Sequence, residues 1–140
     1  MPPKQQGPQV TKRVFLVEDM KQVHAALAEL LAAVGDFRVV GVAGTEAEAN
    51  LWLLENAGAW DLAIIDLVLE QGTGMSVVPK AAEAARRDGG SIVVFSDYAS
   101  EGIRAHCRKL GADAVFLKSQ IQDLMDYCSE IGGLAAASAA

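Results

Sequence analysis

The most constraining feature of this sequence is the stretch Asp61–Leu69, a nearly continuous aliphatic run that is interrupted by one carboxylate, Asp66. An apolar run of strand length is typical of a central parallel strand that is covered by helices on both faces. Sheets of this kind bind their ligands beyond the carboxyl ends of the strands. The sequence therefore predicts that Asp66 lies at the edge of a functional site.

Three other apolar runs of strand length also end on polar side chains. The residues that follow them are, in chain order, Glu18 with Asp19, then Ser96, then Lys118. Taken singly, each residue has a common structural use as a helix cap, a turn residue or a solvated surface group. Their joint arrival in the order acid pair, acid, hydroxyl and lysine favours a shared site at one edge of a sheet.

The segments between these runs have the apolar spacing of helices and end at glycines. Thr45 and Glu48 have the spacing of a capping box at the start of the second helix. Pro79 is expected to start the third helix late or to kink it. Further elements are predicted as strands at 13–17, 37–42, 91–95 and 114–117 and as helices from about 23 to 34, 45 to 56, up to 87, 100 to 110 and 119 to 131.

Strands that alternate with helices indicate a doubly wound parallel α/β sheet, and right-handed crossovers leave few topologies for five strands. We predict the strand order 2-1-3-4-5, because it places the first and third strands side by side at the switch point. One domain is expected over residues 12–131. Residues 1–11 carry three prolines and little to bury and predict a flexible arm, and residues 132–140 predict a small-residue tail.

The composition excludes several classes of function. The formal net charge is −6 and no basic stripe is present, which argues against binding of nucleic acid or of an anionic membrane surface. No apolar segment approaches the roughly 20 residues that cross a bilayer, and the protein is expected to be cytoplasmic. Cys107 and Cys128 are predicted to be buried packing residues rather than a disulfide.

The predicted site has the chemistry of phosphoryl transfer. Three carboxylates at adjoining strand ends repel one another unless a cation lies between them, and oxygen ligands suit Mg²⁺. The ion, the Lys118 ammonium and the Ser96 hydroxyl could together hold the oxygens of a phosphoryl group that is in line with an oxygen of Asp66. This interpretation makes Asp66 the nucleophile and an aspartyl phosphate the product.

These residues resemble the receiver domain of bacterial two-component response regulators over about residues 13–131. Glu18 and Asp19 match the acidic pair of that family, Asp66 its phosphoacceptor, Ser96 its Ser/Thr and Lys118 its lysine. Further matches are Gly74, eight residues after Asp66, and Gly111-Ala112, seven and six residues before Lys118.

The resemblance implies a flavodoxin-like fold and a Mg²⁺ site formed by Glu18, Asp19, Asp66 and the backbone carbonyl of Val68. It also implies a histidine kinase or phosphotransfer protein as the phosphoryl donor, and self-dephosphorylation rather than turnover on a separate substrate. No output domain is expected within the sequence. A downstream protein would then bind the face formed by the fourth helix, fifth strand and last helix.

Three positions depart from the family pattern. Ser119 follows Lys118 where proline is usual, and we expect it to cap the last helix. Val115 stands in the place of the switch aromatic, while Phe116 is predicted to point to the opposite face of the strand. Asp97 adds a carboxylate beside Ser96, and Tyr98 is the preferred candidate for the aromatic that moves with Ser96.

Two alternatives remain open from the sequence. A degenerate receiver could act as an adaptor that needs no phosphorylation, given Asp97, Val115 and Ser119. A phosphohydrolase of the haloacid-dehalogenase type would share the sheet and Mg²⁺. That class requires a second aspartate two residues after its nucleophile, where this chain has Val68.

Overall fold

The computed structural model describes residues 10–132, in which five strands and five α-helices alternate along the chain. All neighbouring strands are parallel, and the order is β2-β1-β3-β4-β5. The predicted doubly wound, flavodoxin-like fold is confirmed. The elements are β1 (Lys12–Val17), α1 (Lys21–Val34), β2 (Phe37–Ala43), α2 (Glu46–Glu55), β3 (Leu62–Ile65), α3 (Gly74–Asp88), β4 (Ser91–Ser96), α4 (Glu101–Leu110), β5 (Ala114–Leu117) and α5 (Ile121–Gly132), with a 3-10 turn at Lys118–Gln120.

The predicted arm, residues 1–11, and the predicted tail, residues 132–140, lie outside the described residues apart from 10, 11 and 132. Thr11 donates a hydrogen bond from its Oγ1 to Asp36 Oδ2 at 3.0 Å, so this end of the arm contacts the start of β2. Among the helices of residues 10–132, none is long and apolar enough to cross a membrane.

The sheet separates two apolar cores, as the alternation of side chains along β1 shows. Phe15 is buried on the face that is covered by α2, α3 and α4, where it stacks on Trp52 with ring centroids 4.0 Å apart. Leu16 is buried on the face covered by α1 and α5. Cys107 and Cys128 are free and buried, one in each core, which confirms their prediction as packing residues.

Carboxylates also occur at the amino ends of the strands, where they bind neighbouring backbone. Asp61 Oδ2 accepts hydrogen bonds from the backbone N–H of Arg13 at 2.7 Å and from its Nε at 3.0 Å. The Arg13 hydrogen bond holds the pKa of Asp61 below its ordinary value. Asp113 Oδ2 accepts from the backbone N–H of Ile92 at 2.8 Å. These two acids join adjacent strands and lie at the edge opposite to Asp66.

The strand register brings the carboxyl ends level with one another. Val17 pairs with Ile65, and the N–H of Asp66 donates to the Val17 carbonyl at 2.9 Å. Ser96 pairs with Leu117, the residue before Lys118. The side chains after β1, β3 and β5 and at the end of β4 therefore emerge along one edge.

Helix α3 does not start late, so that part of the prediction about Pro79 is wrong. The helix begins at Gly74, because the Oγ1 of Thr73 accepts the N–H of Met75 at 3.1 Å and caps it. Pro79 is accommodated in the second turn, where it removes one backbone donor.

The prediction that Ser119 caps the last helix is also wrong. A 3-10 turn precedes α5, and the Oε1 of Gln120 accepts the N–H of Leu117 at 2.8 Å. Ser119 lies inside this turn, whereas the longer side chain of Gln120 folds back to the N–H of Leu117, just before the turn. No peptide bond within residues 10–132 is cis. The Lys118–Ser119 bond is therefore trans.

The close approach of Gly74 to Asp66 generates a prediction. A Cβ at Gly74 would lie 1.8 Å from the carbonyl oxygen of Asp66, so any side chain displaces the loop that follows β3. We expect Gly74→Ala to lower the free energy of unfolding by about 1–3 kcal/mol, the cost of overpacking. Urea denaturation measures this change.

The matched control is Gly102→Ala in α4, where an added Cβ meets no atom within 4 Å. This change should stabilise the protein by about 0.5–1 kcal/mol, since alanine is the better helix former. Equal effects of the two substitutions would contradict the steric role assigned to Gly74.

Candidate functional site

The carboxyl edge of the sheet gathers the acids that the sequence singled out. Glu18 and Asp19 follow β1, and Asp66 follows β3. Carboxylate oxygens from all three lie within 4.8 Å of one another. Glu18 and Asp66 are 3% and 6% exposed, so two of the three acids are almost out of contact with water. The predicted convergence is present in the structure.

Lys118 reaches into this acid cluster from the end of β5. Its Nζ lies 2.7 Å from Glu18 Oε1 and 2.9 Å from Asp66 Oδ2, so one ammonium bridges two strand ends. Burial lowers the pKa of Lys118, but the hydrogen bonds and charges of Glu18 and Asp66 outweigh that effect. The pKa therefore lies above its ordinary value and the side chain stays charged.

Glu18 links the cluster to the start of α1. Its Oε2 accepts the N–H of Met20 at 3.1 Å, and its backbone carbonyl accepts a hydrogen bond from the Nε2 of His24. Burial raises the pKa of Glu18, and the charge of Asp66 adds to the shift, against the opposing bonds from Lys118 and Met20. Burial and the neighbouring carboxylate thus both disfavour the charged form of Glu18 in the folded protein.

Both oxygens of Asp66 already have partners. Oδ2 pairs with Lys118, and Oδ1 accepts the N–H of Val68 at 3.1 Å. Val68 lies in the loop after β3, with its side chain about half exposed and its backbone bridged to Thr73. The carbonyl of Val68 as a metal ligand stays a prediction.

Ser96 is completely buried at the end of β4. Its Oγ accepts the N–H of Tyr98 at 3.4 Å and keeps its own proton for another acceptor. Among the described residues, Ser96 makes no hydrogen bond to the acids or to Lys118. The structure brings it to the same edge without joining it to them. Asp97 and Tyr98 are exposed, and the ring of Tyr98 lies outside the core.

Val115 and Phe116 point to opposite faces of β5, as predicted. Val115 is buried in the core under α3 and α4. Phe116 packs on the other core, edge-on to Tyr127 with ring centroids 5.8 Å apart. Phe116 is therefore a packing residue and lies away from the position that Val115 holds.

Thr73 and Glu46 support the loop after Asp66, and neither was among the predicted site residues. Thr73 donates from its Oγ1 to the Leu67 carbonyl at 3.1 Å while it caps α3. Glu46, at the start of α2, accepts the N–H of Thr73 at 2.9 Å. Thr73 could have been found, since threonine before a helix is a common cap. Glu46 could not, because it lies 27 positions away in the chain.

The donor set fits a hard divalent cation. Glu18, Asp19 and Asp66 offer only oxygen, at distances that one small ion can span, and their excess negative charge favours a cation. The same edge offers an ammonium and a hydroxyl to an anion. The arrangement can therefore hold a cation and an anionic group side by side.

Comparisons with known proteins agree with this geometry. The sequence model of the response regulator receiver domain matches residues 14–128. Similar solved structures include a DNA-binding response regulator of the LuxR family from Staphylococcus aureus, with 17% identity, a TM-score of 0.72, and coverage of 86% of this chain and 98% of that one. The CheX–CheY–BeF3–Mg²⁺ complex from Borrelia burgdorferi has 16% identity and a TM-score of 0.71, over 83% and 88% of the two chains.

A response regulator from Burkholderia pseudomallei with a phosphorylated aspartic acid, a calcium ion and citrate has 24% identity and a TM-score of 0.66. The match covers 86% of this chain and 70% of that one. At these identities the structural likeness shows the fold, whereas the sequence model shows the family.

The burial of the Lys118 ion pairs generates a second prediction. Lys118→Met leaves Glu18 and Asp66 without their cation, and breaking a buried pair costs about 3 kcal/mol or more at neutral pH. Thermal or urea unfolding at pH 7 should show this loss. Lys109→Met, which removes an exposed lysine of α4, is the control and should change stability little.

The loss in Lys118→Met should shrink as the pH falls toward 5. Burial raises the pKa of Glu18 in the folded protein, whereas Lys118 lowers it, so removal of Lys118 raises that pKa further. A carboxyl with a raised pKa in the folded state binds its proton preferentially there, and the variant therefore gains more stability than the wild type as the pH falls. A loss that grows toward pH 5 would contradict this origin.

Proposed function

Because the chain belongs to the receiver domain family of response regulators, we propose that Asp66 is its phosphoacceptor. Phosphoacceptor signalling is the general function of this family. The observation that carries the assignment is the Lys118 ammonium, which bridges Asp66 and Glu18 within the acid cluster. No other aspartate of residues 10–132 combines a strand end, near-complete burial and a lysine partner.

The proposed reaction transfers a phosphoryl group from a phosphohistidine of a kinase or phosphotransfer protein. An oxygen of Asp66 bonds to phosphorus as the nitrogen–phosphorus bond breaks, with the electron pair staying on the imidazole nitrogen. Lys118 exchanges Asp66 Oδ2 for a phosphoryl oxygen, and the buried hydroxyl of Ser96 donates to another. In dephosphorylation, water attacks phosphorus and Asp66 leaves as a carboxylate. Lys118 then pairs with Asp66 Oδ2 again.

Glu18, Asp19, Asp66 and the Val68 carbonyl are the residues that would hold Mg²⁺ in this proposal. The bound ion would neutralise charge between the carboxylates and the incoming phosphoryl oxygens. Support comes from the three carboxylates, whose oxygens lie within 4.8 Å of one another. Asp19 is the least buried of them and so the most accessible to an entering ion.

We propose that the signal leaves through a protein contact at the face of α4, β5 and α5. Ser96 and Tyr98 are joined by a hydrogen bond, so a Ser96 that turns toward the phosphoryl group releases the loop before α4. Tyr98 is 62% exposed and would change its position on that face. The stand-alone form of the regulator and a histidine kinase or phosphotransfer protein as its donor stay predictions.

Phosphorylation on Asp66 can be tested with a small phosphodonor. Acetyl phosphate with Mg²⁺ should add one phosphoryl group to the wild-type protein, detected by intact mass, and Asp66→Asn should prevent it. Asp97→Asn is the matched control, because Asp97 is an exposed acid next to Ser96 and should still allow transfer. A mass shift that persists in Asp66→Asn and maps to His24 or Ser96 would refute the assignment.

The same assay decides between this function and the adaptor alternative. A wild-type protein that takes up no phosphoryl group from acetyl phosphate, although it binds Mg²⁺, would favour the adaptor.

Metal binding gives a further prediction. Titration with Mg²⁺ should move amide NMR signals of the loops after β1 and β3, and Asp19→Asn should weaken binding at least tenfold, because it removes one of few charged ligands. Asp36→Asn, at the opposite edge of the sheet, is the control. Unchanged affinity in Asp19→Asn would exclude a site shared by the three acids.

A further inference from the structure

Arg104 in α4 uses three separate nitrogen atoms to bind three different segments. Its Nε donates to the Ala99 carbonyl at 3.1 Å, in the loop that follows Ser96. Its Nη1 donates to the Val115 carbonyl of β5 at 2.8 Å, and its Nη2 to Gln120 Oε1 at 3.0 Å. The guanidinium thus ties the β4–α4 loop to β5 and to the turn after it.

Gln120 connects this fork to the segment that carries Lys118. Its Oε1 accepts both the Nη2 of Arg104 and the backbone N–H of Leu117, at 3.0 and 2.8 Å. Leu117 is the residue immediately before Lys118, and the 3-10 turn begins at Lys118 itself. The orientation of the turn, and with it the origin of the lysine side chain, depends on this shared acceptor.

All three acceptors of Arg104 are uncharged. Among residues 10–132, no carboxylate lies within ion-pair distance of its guanidinium. An ion pair therefore does not account for the position of the side chain. The planar guanidinium presents its donors from three separate nitrogens, which suits acceptors in three directions, whereas a lysine presents its donors from a single nitrogen.

We propose that Arg104 is a positioning residue for phosphoryl transfer, which acts through Gln120 to set Lys118 and couples Lys118 to the loop after Ser96. The inference rests on the proposed role of Lys118 at Asp66. Arg104 binds the loop after Ser96 and, through Gln120, the turn at Lys118. A shift of Ser96 is therefore accompanied by a shift of Lys118. This coupling does not require an aromatic residue in the place of Val115.

The resting protein provides the first test, by NMR of the Lys118 ammonium and the Leu117 amide. Arg104→Met keeps the apolar stem and removes the fork, and we expect both signals to move. Arg108→Met, an exposed arginine of the same helix, should leave them in place. Lys118 signals in Arg104→Met that coincide with the wild type would overturn the proposal.

Two further variants separate positioning from a general loss of stability. Cys107→Ala removes a buried core atom from the same helix, so it destabilises α4 without touching the fork. It should not move the Lys118 signal. Gln120→Met should move the Lys118 signal at least as far as Arg104→Met, because it removes both the acceptor of Arg104 and that of the Leu117 N–H. Adding Arg104→Met to Gln120→Met should move the Lys118 signal little further, because Arg104 acts on Lys118 through Gln120. If Cys107→Ala moved the Lys118 signal as far as Arg104→Met does, Arg104 would have only a structural role and the proposal would be overturned.

The second test measures the rate of phosphoryl uptake from acetyl phosphate. Arg104→Met should slow it by about 3- to 30-fold, less than the roughly hundredfold effect of displacing a reacting group by 1 Å. A wild-type rate in Arg104→Met would overturn the positioning role. If the wild type takes up no phosphoryl group, the proposed function fails, and the NMR of the resting protein alone decides on Arg104.

Discussion

The arrangement at the carboxyl edge depends on one ammonium among three carboxylates. Two of these acids are buried, and burial of an unpaired carboxylate is strongly unfavourable. Lys118 offsets that cost by binding Glu18 and Asp66 at the same time. The pairing leaves an excess of negative charge at the edge, and this excess suits the site to a cation.

The same residue type has opposite uses at the two ends of β3. Asp61 precedes the strand, and its carboxylate oxygens accept hydrogen bonds from the backbone and side chain of Arg13, so it joins β3 to β1. Asp66 follows the strand and pairs with the ammonium at the end of a lysine side chain. Structural acids bind groups that are fixed in the sheet, whereas the proposed nucleophile binds a group that can exchange one oxygen for another.

Two independent supports hold the loops that carry the site. Gly74 and Thr73 fix the loop after Asp66 through close backbone approach and a helix cap, with Glu46 bracing it from α2. Arg104 and Gln120 fix the turn at Lys118. The first support is rigid because backbone meets backbone. The second includes hydrogen bonds from the charged Arg104 guanidinium to neutral acceptors, each worth about 1.5–3 kcal/mol net.

Sequence alone determined the α/β fold, the strand order and the set of acids that meet Lys118, because apolar periodicity and parallel pairing force strand ends to one edge. It did not determine the local hydrogen bonds. Helix α3 begins before Pro79 because Thr73 caps it, and Gln120 rather than Ser119 accepts the N–H at the turn before α5. Each outcome depends on which side chain reaches a free N–H. The contacts of Glu46 and Arg104 span 27 and 16 positions of the chain, respectively, and only the packed helices bring them together. Spacing along the chain reports which face a residue occupies, but the tertiary structure decides which group it finds there.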